Sequence, residues 1–170
     1  YDRFVTHIDD GAIAAVTELY RDLAVGGTVL DLCSSWVSHL DPVPEHLVAL
    51  GMNGRELAAN PAAHEWLVQD LNAEPALPFD DGTFDAVLCC VSIDYLVRPL
   101  EVFAEVARVL RPGGILLLTV HGRRVALRSG FSAAQLAQLE RDGVVVFGGE
   151  RSGSNACAAY HSERFMRERA

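Results

Sequence analysis

A doubly wound α/β domain, its sheet mostly parallel with an antiparallel hairpin at the C-terminal end, is the fold this sequence predicts. Three observations carry that expectation. Residues 84–120, FDAVLCCVSIDYLVRPLEVFAEVARVLRPGGILLLTV, read as one strand-helix-strand unit. Short apolar runs alternate with helical periodicity up to about residue 120. Two later runs, 144–147 and 156–160, flank the turn-rich GGERSGSN and pair best as antiparallel neighbours.

Within 84–120, the runs 86–91 and 115–120 lack polar alternation, as strands buried on both faces do. Val87, Leu88, Ile115, Leu116 and Leu117, with Val29 and Leu30 from an earlier run, are therefore expected to be buried in adjacent parallel strands. Between the two runs, Leu100, Phe103, Ala104, Val106, Ala107 and Leu110 recur at helical spacing, with Glu101, Glu105, Arg108 and Arg111 on the other side. Pro99 suits a first helical turn, and Pro112-Gly113-Gly114 cannot continue a helix. A right-handed crossover would make the two strands parallel.

The 170 residues, half of them apolar, suit a single domain spanning 1–170. Net charge is -9, from 14 Lys plus Arg against 23 Asp plus Glu, which repels a phosphate backbone and argues against nucleic acid as a partner. No apolar stretch approaches bilayer length, and no signal-like segment opens the chain, so a soluble, cytoplasmic protein without membrane partners is expected. Its oligomeric state is left open. Cys33, Cys89, Cys90 and Cys157 form no C-x-x-C pair and read as reduced structural thiols, and the six histidines show no zinc spacing.

Taken in order, residues 1–8 show no period and are expected to lie over other elements. Asp9 or Asp10 caps a helix whose inner face is Ala12, Val16, Leu19, Tyr20 and Leu23, and Gly26-Gly27 stops it. Strands follow at 28–32, 46–50 and 64–68, with a helix over 54–61 between the last two. The stretch 72–83, with Pro75, Pro78 and Asp80-Asp81-Gly82, reads as a loop. After Val120, HGRRVALRSG reads as a basic loop, 131–141 as a helix capped by Ser132 and ended by Gly143, and SERFMRERA as a short charged helix.

Open α/β sheets bind ligands at the carboxyl ends of their strands. The candidate site is therefore drawn from 31–36, 51–53, 70–72, 91–95 and 121–124. Asp31 is a carboxylate in an apolar run and needs a partner. His121 follows the strand ending at Val120, and an unperturbed imidazole can accept a proton near neutrality. His161 ends the last strand and is the alternative base. Tyr95, Arg123 and His161 are the candidate substrate contacts. Arg123, Arg124, Arg128 and Arg151, with the serines of the two loops that carry them, suit an anionic or sugar-like substrate, and solvated loops explain them equally well.

The stretch LPFDDGTFDAVLCC, followed by RPLEVFAEVARVLRPGGILLLTV, resembles the class I S-adenosylmethionine-dependent methyltransferases, and the resemblance extends over about residues 9–120. The THIDDGAIAA opening and the Ser-Ser-Trp loop resemble a subgroup of that family. The resemblance implies a Rossmann-like sheet of seven strands in the order 3-2-1-4-5-7-6, the last antiparallel, and S-adenosylmethionine as cofactor. Asp31 would match the acid after the first strand. Cys33, Ser35 and Val37 stand where the family usually has glycines, with Cys33, Ser34 and Ser35 small enough to soften the change. At the end of the second strand, where a ribose-binding acid is usual, the chain has Gly51, Met52 and Asn53, and Asn53 can take one hydroxyl. Asp70 would match the acid on the adenine amino group, with Leu71 against the ring and Val91 lining the site.

Plainer readings stand beside these. Asp31 can be held by amides of its own turn, Asp70 can be a loop or cap carboxylate, and Trp36 a core or edge aromatic. The expected function is methyl transfer from S-adenosylmethionine to a small molecule. The glycine-poor loop supports the alternative, an inactive methyltransferase-like binding or accessory protein. A dinucleotide-dependent oxidoreductase would need a G-x-G-x-x-G after Asp31, and none is there.

Overall fold

The computed structural model describes residues 2, 4–147 and 158–169. It divides into two compact units, Tyr1–Ser92 with Arg98–Leu118, and Ile93–Val97 with Thr119–Ala170.

The first unit carries β1 (Thr28–Leu32), β2 (His46–Gly51), β3 (Glu65–Val68), β4 (Phe84–Cys89) and β5 (Leu110–Leu118). They form a five-stranded sheet in the order β3-β2-β1-β4-β5, and every neighbouring pair is parallel. Helices α1 (Asp10–Asp22), α2 (Gly54–Ala58) and α3 (Pro99–Val109) connect these strands or precede them. The runs without polar alternation form the centre: Val29, Leu30, Leu47, Leu50, Val87 and Leu88 are fully enclosed. Burying each such side chain is worth about 1.5–3 kcal/mol, before entropy is charged against it. Tyr20 of α1 joins Val29, Leu47, Ala86 and Leu88 in one buried cluster.

The sheet corrects the seven-stranded expectation. Five strands form one sheet and the C-terminal pair forms a separate two-stranded one. Each sheet's membership depends on long-range pairing, which local periodicity does not encode. Strand β5 is an edge of the five-stranded sheet. Leu116 is accordingly 37% exposed, and Ile115 and Leu117 are only partly buried, unlike the enclosed residues of β1 and β4. β5 also starts at Leu110, directly after α3, and runs through Pro112-Gly113-Gly114 with a register shift between Phe84 and Ala86. The buried face of α3 is Val102, Val106 and Val109, while Leu100 is 84% exposed. Two apolar stripes share this helix, and the one of smaller, β-branched residues is the buried one.

The N-terminal segment covers the loop after β1, as expected of it. The Phe4 ring meets Trp36 edge-on at 6.2 Å, and Trp36 Nε1 donates to the Val5 carbonyl at 3.1 Å. On the far edge of the sheet all residues of β3 are exposed.

The second unit holds a 3-10 turn (Ile93–Tyr95), α4 (Arg123–Arg128), α5 (Ala133–Asp142), β6 (Val144–Phe147), β7 (Ala158–His161) and α6 (Glu163–Arg169). β6 and β7 pair antiparallel, from Val144 opposite His161 to Phe147 opposite Ala158. The basic stretch after His121 is a helix rather than a loop. Its RRVALR core is rich in helix formers, Ala126 is buried, and Gly130 at φ 81° follows its end. Ser132 caps α5 in a reciprocal capping box with Gln135, and Gly143 at φ 84° ends it. Ala126, Leu139, Val145 and Tyr160 form the core of this unit, with Phe131, Leu136 and Ala158 against it. Arg151, Cys157 and the start of the expected strand 156–160 lie outside the described residues.

Candidate active site

In the first unit the loop after β1 brings Asp31, Ser34 and Ser35 together with the end of β2 and the start of α2. Asp31 sits near the carboxyl end of β1, only 6% exposed, and its Oδ2 accepts from Ser34 Oγ at 2.6 Å. Burial pushes its carboxyl up to about 6, against the opposing effect of hydrogen bonds from Ser34 and Ser38. The loop is tied down in several places. Ser34 N donates to the Leu50 carbonyl at 2.7 Å, Ser35 Oγ donates to Glu56 Oε2 at 2.5 Å, and Asn60 Nδ2 donates to the Ser35 carbonyl and to Ser38 Oγ. Cys33 adopts φ 58°, the left-handed region that a glycine would enter freely, so the glycine-like turn is kept with a side chain on it.

Next to this loop, the end of β2 has no room for a side chain. A Cβ on Gly51 would run into the Ser34 carbonyl. Met52 is exposed, and Asn53 caps α2, its Oδ1 accepting from Arg55 N at 3.0 Å and Glu56 N at 3.4 Å. Asn53 Nδ2 in turn donates to Glu56 Oε1 at 2.9 Å and to Asp2 Oδ1 at 3.2 Å. Glu56 thus brings a carboxylate to the loop from the first turn of α2. Sequence reasoning passed over it, although the spacing of Asn53 and Glu56 is that of a capping box and marks the helix start.

Asp70 is exposed after β3, and its Oδ1 accepts from Asn72 N at 2.9 Å, so it has the turn role weighed for it from sequence; Leu71 beside it is buried. Val91 follows β4 at φ 57°, uncommon for a β-branched residue. Cys33 and Cys89 are free thiols. A hydrogen bond with Cys33, then burial, pushes the Cys89 thiol upward, and burial raises the Tyr20 hydroxyl.

The second unit holds Tyr95, His121, Arg123 and His161. His121 Nδ1 lies 3.4 Å from Asp94 Oδ2, and His161 N donates to the His121 carbonyl at 2.8 Å. The His121 and Tyr160 rings are 5.5 Å apart. Burial lowers the pKa of His161. Tyr95 is exposed, and Arg123 pairs with Glu140 at 3.4 Å. Asp94 is a second residue that sequence reasoning did not single out. Among the described residues no cluster of His, Cys, Asp and Glu could hold a metal, and no helix is long and apolar enough to cross a membrane.

Residues 30–118, more than half of the chain, match the methyltransferase domain family. The chain belongs to the class I S-adenosylmethionine-dependent methyltransferases. The cofactor of this family is S-adenosylmethionine. The chain is 36% identical over 91 residues to the ubiquinone/menaquinone biosynthesis C-methyltransferase of Roseobacter denitrificans, covering 54% of this chain and 31% of that protein. It is 29% identical over 109 residues to the ubiquinone biosynthesis O-methyltransferase of Xanthomonas oryzae, covering 62% of this chain and 44% of that one. It therefore spans less than half the length of these curated relatives. A S-adenosylmethionine-dependent methyltransferase structure from Thermotoga maritima superposes with a TM-score of 0.54 at 17% identity, over 87% of this chain and 86% of that one, and shares the fold.

The acceptor set of the first unit suits this cofactor chemically. S-adenosylmethionine offers an ammonium group, a ribose diol and an adenine amino group, all hydrogen-bond donors. The surroundings of the loop after β1 offer the carboxylates of Asp31 and Glu56, and the turn after β3 offers that of Asp70.

Proposed function

We propose that this chain methylates an oxygen, nitrogen or carbon of a small molecule with S-adenosylmethionine. The observation that carries the reading is the buried Asp31 carboxylate near the end of β1, in a chain of this family, held among the described residues by the hydroxyls of Ser34 and Ser38. Asp31 would take the cofactor's ammonium, with Cys33, Ser34 and Ser35 forming the surrounding backbone turn. Glu56, with Met52 and Asn53 beside it, would supply the carboxylate for the ribose diol that Gly51 does not carry. Asp70, Leu71 and Val91 would complete the adenine end.

When bound, the cofactor supplies an electrophilic methyl group on a sulfonium. The protein's work is then to align the acceptor and, where the acceptor must lose a proton, to remove it. His121 is the base we assign, with Tyr95, Arg123 and His161 as acceptor contacts. The relatives' names refer to C- and O-methylation in quinone biosynthesis, which supports a small organic acceptor. The net charge of -9 argues against a nucleic-acid one.

The closed loop favours a second reading, a binding protein without turnover, because Ser34 and Ser35 are already engaged with Leu50 and Glu56. Methyl-labelled S-adenosylmethionine incubated with a panel of phenols, quinols and amines separates the two. Transfer of label to one of them is expected, with His121→Gln lowering turnover about 100-fold and leaving cofactor affinity nearly unchanged. Cofactor binding without any transfer would favour the binding protein.

A further inference from the structure

Three ionisable side chains of the second unit come together around one histidine. Asp94 projects from the 3-10 turn, its side chain 17% exposed, and its Oδ2 lies 3.4 Å from Nδ1 of His121, whose side chain is 38% exposed. That Nδ1 is fully enclosed and makes no aligned hydrogen bond among the described residues. Nδ1 of His161 is enclosed in the same way. His121 is faced by Asp94 from the turn, and by His161 and Tyr160 from β7. Arg123, two residues on, is paired with Glu140, and the Tyr160 hydroxyl donates to Ser129 Oγ at 3.1 Å. Among these groups Asp94 is the acceptor with a carboxylate oxygen near His121.

An enclosed imidazole nitrogen beside a carboxylate is stable as N–H and costly as a bare lone pair. The main chain fixes His121 in place, because it bridges Tyr160 and its carbonyl accepts from His161 N. We propose that Asp94 is a positioning residue that holds His121 in its Nδ1–H tautomer and leaves Nε2 as the atom that takes a proton from the methyl acceptor. This rests on the methyltransferase reading above. The acceptor's X–H bond breaks toward Nε2, its electron pair stays on X, and Asp94 remains a carboxylate facing the imidazolium. Nε2 returns the proton to water afterwards.

Nitrogen-15 NMR of the labelled, ligand-free chain reads the tautomer directly, with the His121 signals assigned by their loss in His121→Gln. In wild type at a pH where the ring is neutral, Nδ1 is expected as the protonated nitrogen and Nε2 as the bare, downfield one. Asp94→Asn should shift His121 toward Nε2–H, and Asp94→Glu should restore the wild-type pattern. A wild-type His121 already in the Nε2–H form, or one unchanged by Asp94→Asn with β6 and β7 amides intact, would overturn the proposal. The wild-type spectrum decides even where a variant fails to fold. None of these readouts needs cofactor or acceptor. A chain that keeps the expected tautomer but transfers no methyl group would refute the methyltransferase reading, and with it the role of Nε2 toward an acceptor, while leaving the positioning of His121 by Asp94 intact.

Discussion

Gly51 and Ser34 are packed so closely that the Ser34 carbonyl occupies the space a side chain at 51 would need. The carbonyl belongs to a loop anchored by Ser34 N on Leu50 O at 2.7 Å, so the main chain cannot move aside cheaply. Gly51→Asp, which would install an acid at the end of β2, is therefore expected to weaken cofactor binding rather than improve it. It should also destabilise the fold by about 1–3 kcal/mol, the usual cost of overpacking. Calorimetry together with urea unfolding checks this. Tighter binding at unchanged stability would mean that the loop opens readily.

Asp31 ties stability to pH. Burial raises its carboxyl from 3.8 to about 6 in the folded chain, so the native state holds this proton more tightly than the unfolded one. Its stabilising contribution is fully present below the unfolded value and is lost as pH rises through about 6. At about 1.4 kcal/mol per pH unit, the change approaches 3 kcal/mol. Urea unfolding of wild type and Asp31→Asn from pH 4 to 7 should show wild type losing ground to the variant across that window. A cationic cofactor group prefers the ionised carboxylate, so cofactor affinity should rise over the same range. A pH-independent difference between the two proteins would show that Asp31 is already ionised at pH 4.

Glu56 and Asp31 are expected to act on different parts of the cofactor. Glu56→Gln should weaken adenosine and S-adenosylmethionine alike, by roughly 1.5–3 kcal/mol, the range for hydrogen bonds to charged groups. Asp31→Asn should weaken S-adenosylmethionine and leave adenosine unchanged. Calorimetric titrations of both ligands into both variants compare the four values. Adenosine binding that is indifferent to Glu56 would remove the ribose assignment.

Much of the sheet was legible because its central strands carry no polar alternation. Val29, Leu30, Val87 and Leu88 are enclosed on both faces, and a run without period is the mark of that environment. The same mark misled at Leu116, because an edge strand can carry the same composition as a central one. On α3 both Leu100 and Val102 head apolar stripes, and only the packing decides between them. The five-plus-two division of strands rests on pairings far apart in the chain. In the candidate site, Asp31 was legible as a charge in an apolar run. Glu56 was not singled out because its role depends on Ser35, 21 residues away, whose hydroxyl reaches it at 2.5 Å. Asp94 lay within the candidate segment 91–95 but was not singled out for the same reason, since the fold alone brings it to His121, 27 residues on.

Titration of S-adenosylmethionine into the wild-type chain by calorimetry tests the central claim most directly. One site per chain is expected, with Kd roughly in the micromolar range, equivalent to about 8 kcal/mol, and with Asp31→Asn weakening it at least tenfold. An absence of binding heat at millimolar ligand, across several temperatures, would contradict the account, and the tied-down loop from Cys33 to Ser38 would then be closed to the cofactor.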